Sequence, residues 1–490
     1  MTERLLVGID IGTTGVKVVL VDPGVGVVAQ ATRANRLGSP HPGWAEADPA
    51  QWRENVLSAL TEVVSRAGGR AVGAIATTGM VPALVFVDES GQPVRPAILQ
   101  NDARARDEVR MLAVETADAG ALASTGSVPS QQSVAPKAMW VAANEPDSWC
   151  RTRALVGSYD WVLMQLGAAR HVEANWALES GLFDLDGGVF APMAEAVPGL
   201  ADRLAPVRAS GEVVGGLSAT VADRVGLPAG VPLVVGGADH VLSAYSAGLA
   251  AAGDWLVKLG GAGDILAVTD APVVDERFFL DAHTVPGLWL PNGCMATSGS
   301  LVRWVQSVLR IDDLRSMDAV AAERQAAEIL CLPYFLGEKS PLNDPDVRGV
   351  FAGLHLGHDA ADVYRSALEG IAFGFRHNAE VLRSRGVSLT SATVTNGGAT
   401  SLLWKQIHAS VLATPLRTVR DHPGASLGAA FAAGMGAGSF AAWPEALEVV
   451  RAGDTIDPVP SLVERYDEAY GMWRDLAGAT ALTMRALARR

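Results

Sequence analysis

Residues 5–21 read LLVGIDIGTTGVKVVLV, two apolar β-rich runs joined by a glycine-threonine turn. Asp10 ends the first run, Gly12, Thr13, Thr14 and Gly15 make the turn, and Lys17 opens the second run. The pattern predicts strands at Leu5–Ile11 and Val16–Val21. A carboxylate, two hydroxyls, backbone amides and an ammonium packed this closely suit a magnesium-bound polyphosphate. Glycine lets the backbone approach an anion, hydroxyls donate to its oxygens, and a carboxylate holds the metal. An ordinary hairpin with polar turn residues is the alternative reading of the same stretch.

The chain has 490 residues, more than one ordinary core accommodates, so two or three domains are expected. Hydrophobic residues make up 49% and charged residues 19%, a balance that suits a soluble globular protein. With 39 basic and 53 acidic residues the formal net charge is −14, which argues against broad nucleic-acid binding. A few local donors and a metal can still hold a phosphate substrate against that global sign. Cys150, Cys294 and Cys331 are an odd, scattered set, suited to neither a disulfide framework nor a zinc site, and they point to a reducing cytoplasm. The apolar run at Leu5 is short and carries Asp10, so no signal peptide is expected. Residues 425–444 lack charge and approach membrane-spanning length. Alanine and glycine dominate them, which predicts a buried, tightly packed helix near Leu427–Met435 instead of a span.

The first half alternates strands and helices. A turn at Asp22 leads into a third strand, Gln51–Ala67 has helical periodicity, and Val72–Thr77, Ala83–Val87 and Val231–Val235 are further strands. After Leu249 the opening logic repeats: strand Trp255–Leu259, the turn GGAG, then strand Ile265–Val268. Ala361–Arg385 is a long amphipathic helix that Gly386 can stop. A short strand at Thr393–Thr395 precedes NGGATS, and a helix starts near Leu402. The predicted division is 1–247 and 248–490.

Four glycine-bearing turns follow strands: the one after Asp10, GGADH at 236–240, GGAG at 260–263 and NGGATS at 396–401. Together they suggest a nucleotide gripped between two related domains, although each alone is compatible with a plain loop. Asp239 follows a buried strand and a glycine pair, so its carboxylate can project into a cleft and take a proton from an attacking hydroxyl. A helix N-cap is the competing role. GVGVVA at Gly24 opens no helix and is not a dinucleotide fingerprint, and GEKS at Gly337 lacks the glycine that a Walker loop places before lysine. The nine histidines show no metal-ligand spacing.

These residues resemble the FGGY carbohydrate kinases, and within them the xylulokinases. The resemblance runs from Leu5 to about Met435. GIDIGTTGVKVVLVD is similar to the first phosphate motif, PHPGWAEADPAQW (40–52) to the segment before the first long helix, and RPAILQNDARA (95–105) to the sugar-side loop. LPYFLGEKSPLNDPDVRGVFAGL (332–354), with Asp362, Ser366, Glu369 and Gly370, matches the C-terminal signature. The resemblance implies an α/β fold of two actin-like (ribonuclease H-like) domains flanking a central cleft. It implies ATP-dependent phosphorylation of a sugar or polyol hydroxyl with Mg2+. By position, Asp10 would hold magnesium, Gly12, Thr13, Thr14 and Lys17 would face phosphates, and Asp239 would be the catalytic base. Gly260 and Gly261 would form the second phosphate motif and Gly397 and Gly398 the adenosine motif. Met80, Val81, Asn101, Asp102, Asp239 and His240 would line the sugar site.

Three departures qualify the match. Val81 replaces a usual histidine, His240 stands where asparagine is common, and GGAG lacks the hydroxyls of the usual second phosphate motif. Backbone amides can replace such hydroxyls. The expected protein is a cytoplasmic kinase of carbohydrate metabolism, with D-xylulose as leading substrate. Ribulose, erythritol or glycerol are alternatives, and a non-catalytic sugar sensor is a further one. No nucleic-acid or membrane partner is expected, and a homodimer is a possible assembly.

Overall fold

The computed structural model describes residues 4–489. Strands β1 (Leu5–Ile11), β2 (Gly15–Asp22) and β3 (Gly26–Ala34) form an antiparallel meander. Helix α1 (Pro49–Ser65) follows, with proline at its first position and the Asp48 side chain accepting from Ala50 N, a favourable start on both counts. Next come β4 (Val72–Gly79), α2 (Val134–Asn144), α3 (Ala174–Ser180), β5 (Val213–Gly216), β6 (Pro232–Ala238) and α4 (Asp239–Ser246). The second half contributes β7 (Asp254–Leu259), β8 (Gly263–Ala267), β9 (Phe279–Ala282), β10 (Trp289–Met295) and α5 (Gly299–Val308). It continues through α6 (Ala360–Ser384), β11 (Ser391–Thr395), α7 (Leu402–Val411), β12 (Leu416–Val419), α8 (Ala425–Gly436), β13 (Ala452–Ile456) and α9 (Pro460–Ala488).

The chain forms two compact units. The first comprises residues up to Ala250 with Val274–Trp289 and Asp421–Val450; the second comprises Ala251–Val273, Leu290–Arg420 and the residues from Arg451 on. In the first unit the strands run β5-β6-β4-β1-β2-β3, with β4 parallel to both β1 and β6. In the second they run β10-β8-β7-β11-β12-β13, with β7, β8 and β10 antiparallel and β11 parallel to β7 and β12. A three-strand meander followed by parallel strands therefore occurs twice, as the repeat after Leu249 predicts.

Helix α8 takes up the first 12 residues of the uncharged stretch, and it lies against β1, β4, β6 and α4. It belongs to a buried cluster with Leu6, Val19, Val234, Leu242 and Tyr245. Its composition follows from how close it comes. A Cβ at Gly8 of β1 would sit 1.9 Å from the Ser426 carbonyl oxygen, and one at Gly428 would sit 2.3 Å from that of Leu242. Among the described residues no helix is long and apolar enough to cross a membrane.

Helix α6 begins with a capping box between Asp359 and Asp362 and stops before Gly386, whose φ is 83°. The three cysteines are free.

Gly428→Val is expected to destabilise the protein by roughly 3 kcal/mol or more, because backbone cannot yield as a flexible side chain does. The check is the urea unfolding midpoint; an unchanged midpoint would mean that α8 can move away from α4 at little cost.

Candidate functional site

Register sets the candidate residues of the first unit. Asp10 on β1 lies opposite Thr78 on β4, and Thr78 lies opposite Gly237 on β6. The carboxyl ends of three adjacent parallel strands therefore lie side by side, the usual ligand position in open α/β sheets. Asp10 sits at the first end, Met80 directly follows the second and Asp239 the third. Met80 N donates to Ile11 O at 3.2 Å, and Thr13 Oγ1 lies 3.9 Å from Met80 Sδ. Gly12 N closes the turn onto Gly15 O at 3.0 Å, leaving Thr13 half-buried and Thr14 exposed. Val81 is buried and apolar. Lys17 lies opposite Asp10 across the hairpin, and its Nζ donates to Pro423 O at 2.9 Å. Its ammonium is thus directed to the segment before α8.

Asp239 opens helix α4, whose cap position is Ala238, and no side chain caps the helix. The N-cap role considered for Asp239 is therefore not what the structure shows. Its side chain is 40% exposed. His240 beside it is held among carboxylates. Its Nε2 lies 2.7 Å from Asp281 Oδ2 on β9 and 3.8 Å from Glu179 Oε1 on α3, and its Nδ1 lies 3.5 Å from Asp239 Oδ1. Burial alone would push the imidazole down, but the Asp281 carboxylate and hydrogen bonds to Asp239 and Asp281 outweigh it and hold it well above its ordinary value. Burial and repulsion from Asp281 push Glu179 well above the usual carboxylate range. The three ligand atoms of Glu179, His240 and Asp281 lie within 4.8 Å, a spacing compatible with a cation. The direct contact between His240 and Asp281 already occupies it.

The sugar-side loop divides. Asn101 is exposed, and its carbonyl accepts from Gln131 Nε2 at 2.6 Å. Asp102 is buried. Its Oδ1 accepts from Arg104 N at 3.0 Å and Nε at 2.8 Å, and its Oδ2 from Ala45 N at 2.6 Å and Arg104 Nη2 at 2.8 Å. A carboxylate has about four acceptor positions, so a sugar hydroxyl could reach Asp102 only by displacing one of these donors. Arg104 also pairs with Glu46 at 2.7 Å and lies 3.8 Å over the Trp44 ring. Beneath this loop Lys137 of α2 is buried, donates to Gln132 O at 3.2 Å, and is lowered by burial to about 7.

The second unit holds the other turns. Lys258 on β7 lies opposite Thr395 on β11, so Gly260–Gly263 and Gly397–Gly398 leave neighbouring parallel strand ends. Gly299 N donates to Gly260 O at 2.8 Å, and Ser298 N and Ser300 N donate to Gly261 O at 3.0 Å. The start of α5 therefore takes both turn carbonyls. Peptides are trans, so the N–H groups of Gly261 and Ala262 point the opposite way, outward from α5. A Cβ at Gly261 would lie 3.2 Å from Arg303 Nη2 on that helix. Gly398 has no room for a side chain, its Cβ falling 2.3 Å from the Trp404 ring, whereas a Cβ at Gly397 meets nothing within 4 Å. Outward amides, a nearby guanidinium and an open glycine surface form a donor set that fits an anionic nucleotide.

Glu179, Asp281, Lys137 and Arg303 escape motif reading. The partners of His240 stand 61 residues before and 41 residues after it, so no local spacing signals them. Lys137 interrupts an apolar helix, and that is its only sequence signal.

Asp102→Asn is expected to lower stability by about 1–3 kcal/mol, because buried Arg104 keeps Glu46 but loses its other carboxylate. Urea unfolding measures this. A stable variant with a raised sugar KM would instead assign Asp102 to the ligand.

The model of the FGGY family of carbohydrate kinases matches the chain in two parts, its N-terminal domain at residues 5–246 and its C-terminal domain at 257–437. The chain is similar to a xylulose kinase of Staphylococcus epidermidis, 27% identical over 96% of each chain. It is also similar to one of Escherichia coli, 28% identical over 87% of this chain and 89% of that protein. Among solved structures it is similar to a xylulose kinase from Rhodospirillum rubrum, with a TM-score of 0.93 and 39% identity over 98% of this chain and all of the other. A Plasmodium falciparum glycerol kinase with ADP shares the fold at a TM-score of 0.88 and 18% identity, covering 96% of this chain and 98% of that one.

Proposed function

The chain belongs to the FGGY family of carbohydrate kinases, and we propose that it uses ATP to phosphorylate a hydroxyl of D-xylulose in cytoplasmic carbohydrate metabolism. It is a sugar kinase of two actin-like (ribonuclease H-like) domains. The observation carrying the substrate is the 39% identity to a xylulose kinase across 98% of the chain. The observation supporting the chemistry is the alignment of Asp10, Met80 and Asp239 at three neighbouring strand ends.

In this reading Asp239 orients the sugar hydroxyl and takes its proton as the oxygen bonds to the γ-phosphorus and ADP leaves. Phosphoryl transfer depends mainly on positioning and charge neutralisation, so a single well-placed carboxylate suffices as base. Asp10 would hold Mg2+, and bound magnesium would neutralise charge on the phosphate oxygens. Thr13, Thr14 and the Gly12 turn would receive phosphate oxygens. The Gly261 and Ala262 amides, with Arg303, would do so at the second turn without hydroxyls. Gly397 would leave room for the adenosine, and Gly398, packed on the Trp404 ring, would hold the turn beside it. Lys17, tied to Pro423, has a weaker claim to phosphate than the turn residues. Met80, Val81 and Asn101 would bound the sugar.

The buried, apolar Val81 keeps a second reading in view, in which another ketose or a polyol such as ribulose, erythritol or glycerol is preferred. An apolar wall discriminates weakly between hydroxyl patterns. ADP release across ketopentoses, ketohexoses and polyols decides between them. Xylulose giving the highest kcat/KM supports the first reading, another sugar the second, and a flat response overturns both. Asp239→Ala should cut turnover about 10²–10⁴-fold while leaving ATP affinity unchanged. Turnover close to wild type would remove Asp239 from the role of base.

A further inference from the structure

Adjacent residues on a helix point about 100° apart, so contact between their side chains is not automatic. Asp239 and His240 nevertheless approach to 3.5 Å. Something outside α4 must set the imidazole, and two elements do. Asp281 on β9 grips Nε2 at 2.7 Å, and Glu179 on α3 flanks the same nitrogen at 3.8 Å. This clamp is built on fixed structure. Asp281 is fully buried, and the neighbouring Ala282 N donates to Asn175 Oδ1 of α3 at 2.8 Å. The Glu173 side chain caps α3 itself, accepting from Trp176 N.

Asp239 has no comparable anchor in its own helix, since it caps nothing and is 40% exposed. A base that must meet a hydroxyl at hydrogen-bond distance needs its carboxylate held, and a misplacement of about 1 Å can cost roughly a hundredfold in rate. We propose that His240, clamped by Asp281 and Glu179, is a positioning residue that holds the Asp239 carboxylate toward the substrate hydroxyl. The inference rests on the reading of Asp239 as base.

The charge balance agrees. His240 meets carboxylates from three elements: Asp239 on its own helix, Asp281 on β9 and Glu179 on α3. Glu173, raised by burial to about 7, acts on this group through Asp281, and Lys137 acts through Glu179. Helix α8 and strands β4 and β6, which also pack on α4, carry no ionisable side chain. The buried Asp281 carboxylate at 2.7 Å favours the protonated imidazole, so a cation stands beside Asp239. Such a cation directs the carboxylate that lies 3.5 Å from it. This accounts for a histidine at a position where an asparagine would supply a hydrogen bond without charge.

The test compares wild type, His240→Asn, His240→Gln, Asp281→Asn and Asp239→Ala. Each is assayed for kcat and KM from pH 5 to 9 with ATP and the panel sugar of highest turnover, with urea unfolding as a check on folding. His240→Asn is expected to lower kcat about ten- to a hundredfold with sugar KM within about threefold, and to move the acid limb of kcat up by about one pH unit. His240→Gln should do the same. Asp281→Asn leaves the imidazole in place but removes the charge that holds it, so it should reproduce the pH shift with a smaller loss of kcat. It carries the test if the His240 variants fail to fold.

Loss confined to sugar KM would make His240 a sugar contact. A parallel loss at every pH would make it merely structural. A stoichiometric divalent ion in the purified protein, absent from His240→Asn, would make the cluster a metal site. Each of these overturns the inference. If Asp239→Ala retains turnover, the reading of the base fails first. If it is inactive while His240→Asn matches wild type in kcat and pH profile, only the present inference fails.

Discussion

The first unit depends on a place where the chain has no room for a β-carbon. Gly8 on β1 meets the Ser426 carbonyl and Gly428 on α8 meets that of Leu242, both closer than a side chain allows. Backbone-to-backbone packing of this kind gains dense van der Waals contact but leaves no slack. It fixes α8 against β1, β4 and β6, and the loop before α8 supplies the carbonyl that Lys17 binds. The strand ends that carry Asp10, Met80 and Asp239 are in turn held in register by the same sheet.

This constraint explains which parts of the chain were legible in its sequence. Strands β1, β2, β4, β6 and β7 and helices α1 and α6 announce themselves through periodicity and turn residues, and each forms within a few residues of its predicted limits. The uncharged stretch at α8 imitates a membrane span because close packing and lipid both exclude charge. Alanine and glycine in place of leucine separate the two, since a helix facing lipid has no reason to be thin. Less legible is the membership of Asp421–Val450 and Val274–Trp289 in the first unit. That follows from which face each segment buries, a long-range property without a local signature.

The site shows the same division. Turns and the residues at strand ends are readable because glycine at a strand end has few structural purposes. The carboxylates around His240 are not, because Glu179 and Asp281 are ordinary residues until folding brings them to one imidazole. Asp102 is the converse case. The family motif would place it beside a ligand, and in the structure Arg104 and Ala45 fill its acceptor positions and tie it to the loop bearing Trp44. Sequence pattern identifies residues that matter to a site but does not separate contact from support.

The second glycine turn carries a different lesson. Its outward amides are aimed by the first residues of α5, which take up the opposing carbonyls. The orientation of those amides is set some forty residues downstream of the turn, in a helix start, and is written in peptide geometry instead of side-chain identity. Recognition of that type is degenerate. Every amino acid except proline offers the N–H that Gly261 and Ala262 present, so the turn can drift in sequence while the helix start holds its shape. A consensus built on hydroxyl residues would score such a chain as impaired although its donors are intact.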